Sequence, residues 1–203
     1  MMRTLAIECA TEACSVALFD GETVLDSAHK VLGRGHAEQL VPMIAALPDR
    51  GQAQRILVSL GPGSFTGVRI GVATAKALGF AWSAQVFGYP TLSLVAAMAM
   101  ADFEWPALTV CMTGGHGEWF VQHFTGDGAA GPAVSLSPAA AEAQDRRLPL
   151  AGSQAPEFAA LVGNREAHFL LPDASRANLL PPAILTPAVA PIYGRGPDAR
   201  LPG

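Results

Sequence analysis

Charge is what this chain of 203 residues has least of: only 15% are Asp, Glu, Lys or Arg, where about 25% is ordinary for a soluble domain. The 13 Lys and Arg are scattered, and the formal net charge is -4. No basic cluster exists to neutralise a run of phosphates, which argues against direct, tight binding of RNA or DNA. Cysteine is also scarce. Cys9, Cys14 and Cys111 show no CxxC spacing and no even-numbered framework, so they read as small core residues in a reducing compartment. The longest apolar run, Leu92 to Phe103, falls well short of the roughly 20 residues that cross a bilayer. The opening MMRTLAIECATEAC has one arginine and no continuous apolar segment, so a strand is expected there rather than a secretion signal, in a soluble, cytoplasmic protein.

Catalytic signatures are missing as well. His29, His36, His116, His123 and His168 contain no HExxH or HxxxH pair, and the two regular spacings, 29 to 36 and 116 to 123, are too long for one metal on a strand. Ser15, Ser64 and Ser93 lie in no GxSxG elbow. No catalytic residue and no metal site are assigned. Against this stands an apolar content of 50%, which means either alanine inflating the count or apolar surface that meets a partner.

The most informative stretch is Leu60 to Gly71, LGPGSFTGVRIG. A strand-length apolar run, Arg55 to Leu60, precedes it and a proline-free, helix-length segment, Val68 to Trp82, follows. It is a strand-to-helix elbow. Gly61, Gly63 and Gly67 could let backbone amides approach a phosphate at the helix start, or could serve a turn and close helix packing. No lysine follows Gly67, and the glycines read GxGxxxG, so neither nucleotide fingerprint is met. Around this elbow the pattern predicts strands at Thr4 to Cys9, Ser15 to Phe19 and Thr23 to Ser27, with Asp20-Gly21 as a hairpin turn. A helix is predicted over Gly35 to Leu47, its stripe formed by Leu40, Met43, Ile44 and Leu47. Strand Gln85 to Phe87 and helix Pro90 to Ala101 follow, Pro90 at the first helical position. The pattern breaks near Asp102 to Pro106, dividing the chain into lobes of residues 1–103 and 104–203. In the second, strands are predicted at Ala107 to Met112, Glu118 to Phe124 and Leu148 to Ala151. Short helices are predicted at Pro138 to Gln144 and Pro156 to Val162, then an irregular tail with one short helix near Ala174 to Leu180.

This order of elements is that of the first lobe of the actin, Hsp70 and sugar-kinase superfamily, so the expected fold is α/β, actin-like (ribonuclease H-like), with a small divergent second lobe. LAIECATEACSVAL, HAEQLVPMI and GPGSFTGVRIGVATAKALG further resemble the bacterial TsaB (YeaZ) family of tRNA threonylcarbamoyladenosine biosynthesis proteins, once labelled glycoproteases. The resemblance runs from about Leu5 to Ala97. Beyond it, Gly117, Glu118 and Phe120 fit, but Thr113, Gly114 and Gly115 replace the family's Asp-Ala-Arg segment. The tail Pro191-Ile192-Tyr193-Gly194-Arg195 is similar to the family's Pro-x-Tyr-Leu-Arg ending.

The resemblance implies a non-catalytic scaffold that pairs with a TsaD-like transferase and recruits a TsaE-like ATPase. It implies a homodimer when alone, contact with tRNA only through the partner, and no membrane. No cofactor of its own is implied, with room for ATP or ADP at a subunit interface. In the superfamily the first strand supplies a metal-positioning aspartate, whose place is held by Glu8; with Gly61, Gly63 and Gly67 it is the candidate cofactor-binding set. The candidate partner interface is the face of the two first-lobe helices: His36, Leu40, Met43, Ile44, Leu47, Arg69, Val72, Ala75 and Lys76. The alternatives are a degenerate nucleotide-binding phosphotransferase or ATPase and a peptidase-like hydrolase.

Overall fold

A computed structural model describes residues 2–163 and 165–194. The chain opens with a meander, β1 (Arg3–Glu8), β2 (Ala13–Asp20) and β3 (Thr23–Val31). Asp20 pairs with Thr23, so the connecting residues are Gly21 and Glu22, shifted by one from the expected Asp20-Gly21. Gly21 takes the positive φ of 61° that this tight turn needs. Helix α1 (His36–Ala46), strand β4 (Arg55–Ser59), helix α2 (Phe65–Trp82), strand β5 (Gln85–Tyr89) and helix α3 (Thr91–Phe103) complete the first half. The sheet order is β3-β2-β1-β4-β5, antiparallel across the meander and parallel from β1 to β4 to β5. This is the expected actin-like arrangement. Pro42 lies inside α1, and Pro90 is the residue before α3 rather than its first.

The second sheet is built from β6 (Ala107–Thr113), β7 (Trp119–Thr125), β8 (Gly128–Ala129), β9 (Val134–Leu136), β10 (Leu150–Ala151) and β11 (Ala167–His168). Its order is β11-β10-β6-β7-β8, with β9 also pairing β7. Helices α4 (Pro138–Ala143) and α5 (Ala155–Val162) cover it.

Alternation along the strands explains the layering. In β1, β2 and β4, Leu5, Ile7, Val16, Leu18, Ile56 and Val58 face α1 and α2. Their neighbours Ala6, Ala17, Phe19 and Leu57 face the other way, against Leu94 and Met98 of α3. The opposite side of α3, through Leu92, Val95, Ala96 and Ala99, packs on Leu108, Val110 and Phe120 of the second sheet. A helix with sheets on two sides has no solvent stripe, which is why its sequence is apolar nearly throughout.

The boundary expected at residues 103 and 104 falls between α3 and β6. The chain does not stay with the second sheet to its end. From Asp173 it returns to the first: Ala174, Ala177 and Leu180 bury against Ala6, Ala17 and Phe19, and the Ala174 amide donates to Ser15 Oγ at 2.9 Å. The short helix expected at 174–180 is a 3₁₀ segment, Ala174–Leu179. Further on, the Ile192 amide donates to the Leu60 carbonyl at 2.7 Å, placing the tail beside the elbow. Arg195, part of the tail resemblance, lies outside the described residues.

Candidate functional site: the elbow, its cleft and the helical flank

The elbow is held by backbone. Ser64 caps α2, its Oγ accepting from the Gly67 amide at 3.2 Å, while the Ser64 amide donates to the Ala10 carbonyl at 2.7 Å. A Cβ on Gly63 would stand 2.0 Å from that carbonyl oxygen, and one on Gly67 would stand 2.0 Å from the Cys9 oxygen. These two glycines are therefore required by the approach of the elbow to the loop after β1. Gly61 is the third: a Cβ there would lie 3.0 Å from the Ile192 oxygen of the returning tail. Two amides at the helix start, those of Ser64 and Gly67, are already spent inside the protein.

In front of the elbow lies a cleft of about 150 Å³, bordered by Ala10, Thr11, Ser64, Thr113, Gly114 and Ser153, among others. Ligand sites for drug-sized molecules run to roughly 300–1,000 Å³, so this cleft is smaller than such sites. On the far wall the Thr113 amide donates to Ser153 Oγ at 2.9 Å, and the two hydroxyls lie 3.0 Å apart. Thr113, Gly114 and Gly115 form the connection from β6 to β7: the Gly114 amide donates to the Glu118 carbonyl at 2.8 Å and the Glu118 amide to the Gly115 carbonyl at 3.1 Å. This segment is a hairpin turn.

Glu8 does not border the cleft. It is fully buried at the end of β1, with Oε1 accepting from the Ala10 amide at 2.7 Å and Oε2 from the Tyr89 hydroxyl at 3.3 Å. Tyr89 OH is also 3.1 Å from the Ile7 carbonyl. Burial raises the Glu8 carboxyl from 4.5 to about 7, against the lowering effect of the Ala10 amide and the Ser59 and Tyr89 hydroxyls. A metal-bound nucleotide needs a carboxylate that a hydrated cation can reach, and Glu8, fully buried with both oxygens hydrogen-bonded inside the chain, does not fit that role. Among the described residues no group of three or more His, Cys, Asp or Glu is placed to hold a metal. Tyr89, the partner that fixes Glu8, is distant in sequence and carried no signal there.

The helical face expected to meet a partner is largely interior. Leu40, Met43, Ile44 and Leu47 of α1 and its exit, and Val72 and Ala75 of α2, are buried in the chain's own core. His36 is buried too, its Nε2–H donating to the Thr11 carbonyl at 2.9 Å. The physical reason is that a helix lying on a sheet spends its apolar stripe on that sheet. Of the expected set only Arg69 and Lys76 are exposed. Arg69 stacks over the Phe65 ring, 3.5 Å from its centroid, and donates to the Tyr193 hydroxyl at 3.0 Å.

What the two helices leave outward is a second set of residues, beside the expected Arg69 and Lys76. On α1 it contains Ala37, Val41 and Ala45, spaced i, i+4, i+8, and on α2 Ala73, Ala77 and Phe80. Val41 is 56% exposed and Phe80 is 92% exposed.

Comparison with known proteins places this architecture. The family profile described as TsaD, tRNA N6-adenosine threonylcarbamoyltransferase, matches residues 29–164. An uncharacterised Mycobacterium tuberculosis protein is 33% identical, the match covering 97% of this chain and 93% of the relative. The tRNA threonylcarbamoyladenosine biosynthesis protein TsaB of Escherichia coli is 41% identical over 110 residues, 51% of this chain and 45% of the relative. A Mycobacterium leprae protein is 33% identical over 98% of this chain and 56% of its own length, so the chain spans about half of these last two relatives. Among solved structures, YeaZ of Pseudomonas aeruginosa superposes with a TM-score of 0.75 at 24% identity, over 95% of this chain and 100% of that one. Fold, elbow and matched span agree: the chain belongs to the TsaD-related family, in its TsaB/YeaZ branch.

Proposed function

We propose that this chain is a non-catalytic subunit in the synthesis of threonylcarbamoyladenosine on tRNA, in a cytoplasmic setting. The outer flank of α1 and α2 docks a TsaD-like transferase, the pair recruits a TsaE-like ATPase, and the chain alone dimerises through the same flank. The observation that carries this reading is Phe80, a large aromatic 92% exposed, on a helix face it shares with Ala73, Ala77 and the charged Arg69 and Lys76. Small residues let a facing helix come close, and an aromatic among them is the kind of anchor that dominates interface energy. One apolar patch cannot serve two partners at once, so homodimer and heterodimer exclude each other.

The rest of the molecule supports a scaffold. Glu8 is consumed by internal hydrogen bonds and the cleft is small, which favours ATP or ADP binding where a partner completes the site. With a net charge of -4, the chain leaves tRNA to its partner. The test is Phe80→Glu with Val41→Glu beside it. Both variants should keep the wild-type melting curve, lose self-association in light scattering, and fail to form the complex with a TsaD-like protein or to restore the modified nucleoside in cells lacking the gene. Folded variants that still associate would place the interface elsewhere. ATP turnover by the isolated chain would favour the degenerate ATPase instead.

A further inference from the structure

The turn from β1 to β2 holds a pair of thiols for which the scaffold role has no use. Cys9 and Cys14 are both free and fully buried, with their sulfur atoms 3.5 Å apart. The β1–β2 register runs Ile7 to Val16 and Glu8 to Ser15, so the next step sets Cys9 opposite Cys14. Directly opposed residues on antiparallel strands have Cα atoms about 4.5–5.5 Å apart, within the roughly 4.4–6.8 Å that a disulfide spans. Joining the two sulfurs therefore needs side-chain rotation and no movement of the sheet.

The two thiols are not equivalent. Cys14 faces Lys30 across the β2–β3 register, and the hydrogen bond from Cys9 together with the Lys30 charge lowers its thiol. Cys9, with Cys14 and the Glu8 carboxyl beside it and no cation, is pushed up. The thiolate is the reactive form, so Cys14 is the thiol that attacks and Cys9 the one that resolves. Cys111 sits alone in the second sheet, its thiol raised by burial, and provides an internal reference.

We infer that Cys9 and Cys14 form a reversible intramolecular disulfide, with hydrogen peroxide or another small peroxide as oxidant. Cys14 sulfur attacks one peroxide oxygen, the O–O bond breaks, and the departing hydroxide takes up a proton to give water and a Cys14 sulfenic acid. Cys9 sulfur then attacks Cys14 sulfur, the S–O bond breaks, and the second oxygen leaves as water with the Cys9 proton. Two thiols are oxidised by two electrons and one peroxide is reduced to two waters. The cleft borders Ala10 and Thr11, the residues after Cys9, but neither sulfur, so a small peroxide has to pass that loop to reach Cys14. The cross-link would close a ring around the loop that anchors the elbow and α1. Its Ala10 carbonyl accepts from Ser64 and its Glu12 carbonyl from Leu32 and Gly33, and its Thr11 carbonyl accepts from His36.

The experiment treats the full native chain with equimolar hydrogen peroxide, then alkylates it in denaturant and measures intact mass. The expected product is a monomer lighter by two hydrogens with one alkylatable thiol, Cys111, returned to three by dithiothreitol. Cleavage after Glu12 should leave the Cys9 and Cys14 peptides joined. Amide exchange over residues 10–13 should slow in the oxidised form. In Cys9→Ser the reaction should stop at a Cys14 sulfenic acid that dimedone traps. The inference is overturned if the native protein keeps three alkylatable thiols, if the linked pair includes Cys111, or if the cross-link appears only in denaturant. Should the serine variant fail to fold, the wild-type peptide map decides.

Discussion

Replacing Glu8 by Gln should remove one large pH-dependent contribution to folding stability over the acid-to-neutral range. The carboxyl is fully buried and its affinity for a proton is raised from 4.5 to about 7. Between those values the folded chain holds a proton that the unfolded chain releases, so folding stability must fall as pH rises. The contribution is present in full below 4.5 and is lost as pH climbs through about 7, at about 1.4 kcal/mol per pH unit, or about 3 kcal/mol over the whole interval. Gln keeps an oxygen for the Ala10 amide, and its NH₂ can donate to a Tyr89 hydroxyl that itself donates to the Ile7 carbonyl, so the network survives without the charge. Urea unfolding at pH 5, 6, 7 and 8, followed by fluorescence of the buried Trp105 and Trp119, measures both proteins. The difference between them cancels every other titrating group. Glu8→Gln should gain about 2.5 kcal/mol on the wild type between pH 5 and pH 8. Two parallel curves would refute the assignment of a buried, proton-holding carboxyl.

The glycines of the elbow should separate from those of open turns. Gly63→Ala and Gly67→Ala drive a Cβ to within 2.0 Å of a carbonyl oxygen, an overpacking that costs about 1–3 kcal/mol or more, whereas Gly115→Ala meets nothing within 4 Å and should melt as wild type. Ser64→Ala, which loses only the cap, should cost about 1 kcal/mol. Met43→Glu buries an unpaired carboxylate in the core and should unfold the protein by a loss of about 3–5 kcal/mol, visible in circular dichroism, while Val41→Glu on the same helix stays folded and loses only association.

Much of the fold was legible because its signals are local. Alternation in β2, the stripe Leu40, Met43, Ile44 and Leu47 in α1, and the elbow between an apolar strand and a proline-free helix each declare an element without reference to the rest. The short strands β9, Val134–Leu136, and β11, Ala167–His168, were not legible, since two or three residues cannot display a period. The return of the tail was not legible either. Ala174, Ala177 and Leu180 are small or singly placed apolar residues, and nothing in their own sequence says which sheet they cover.

Most of the expected partner face lies in the chain's own core for an instructive reason. An amphipathic stripe identifies the side of a helix that leaves water, and in a helix laid on a sheet that side belongs to the chain's own core. A docking surface must be sought in what remains apolar after the stripe has been assigned. On α1 the residue set Ala37, Val41, Ala45 repeats at four-residue spacing beside the buried stripe, and on α2 Phe80 follows Ala73 and Ala77 outward. These positions could have been separated from Leu40 and Met43 by counting two apolar faces where one suffices for folding. The same arithmetic bears on the low charge of the whole chain. With only 15% charged residues, the outward faces of the two helices carry few charges, Glu38 on α1 and Arg69 and Lys76 on α2, and leave apolar surface between them for a partner.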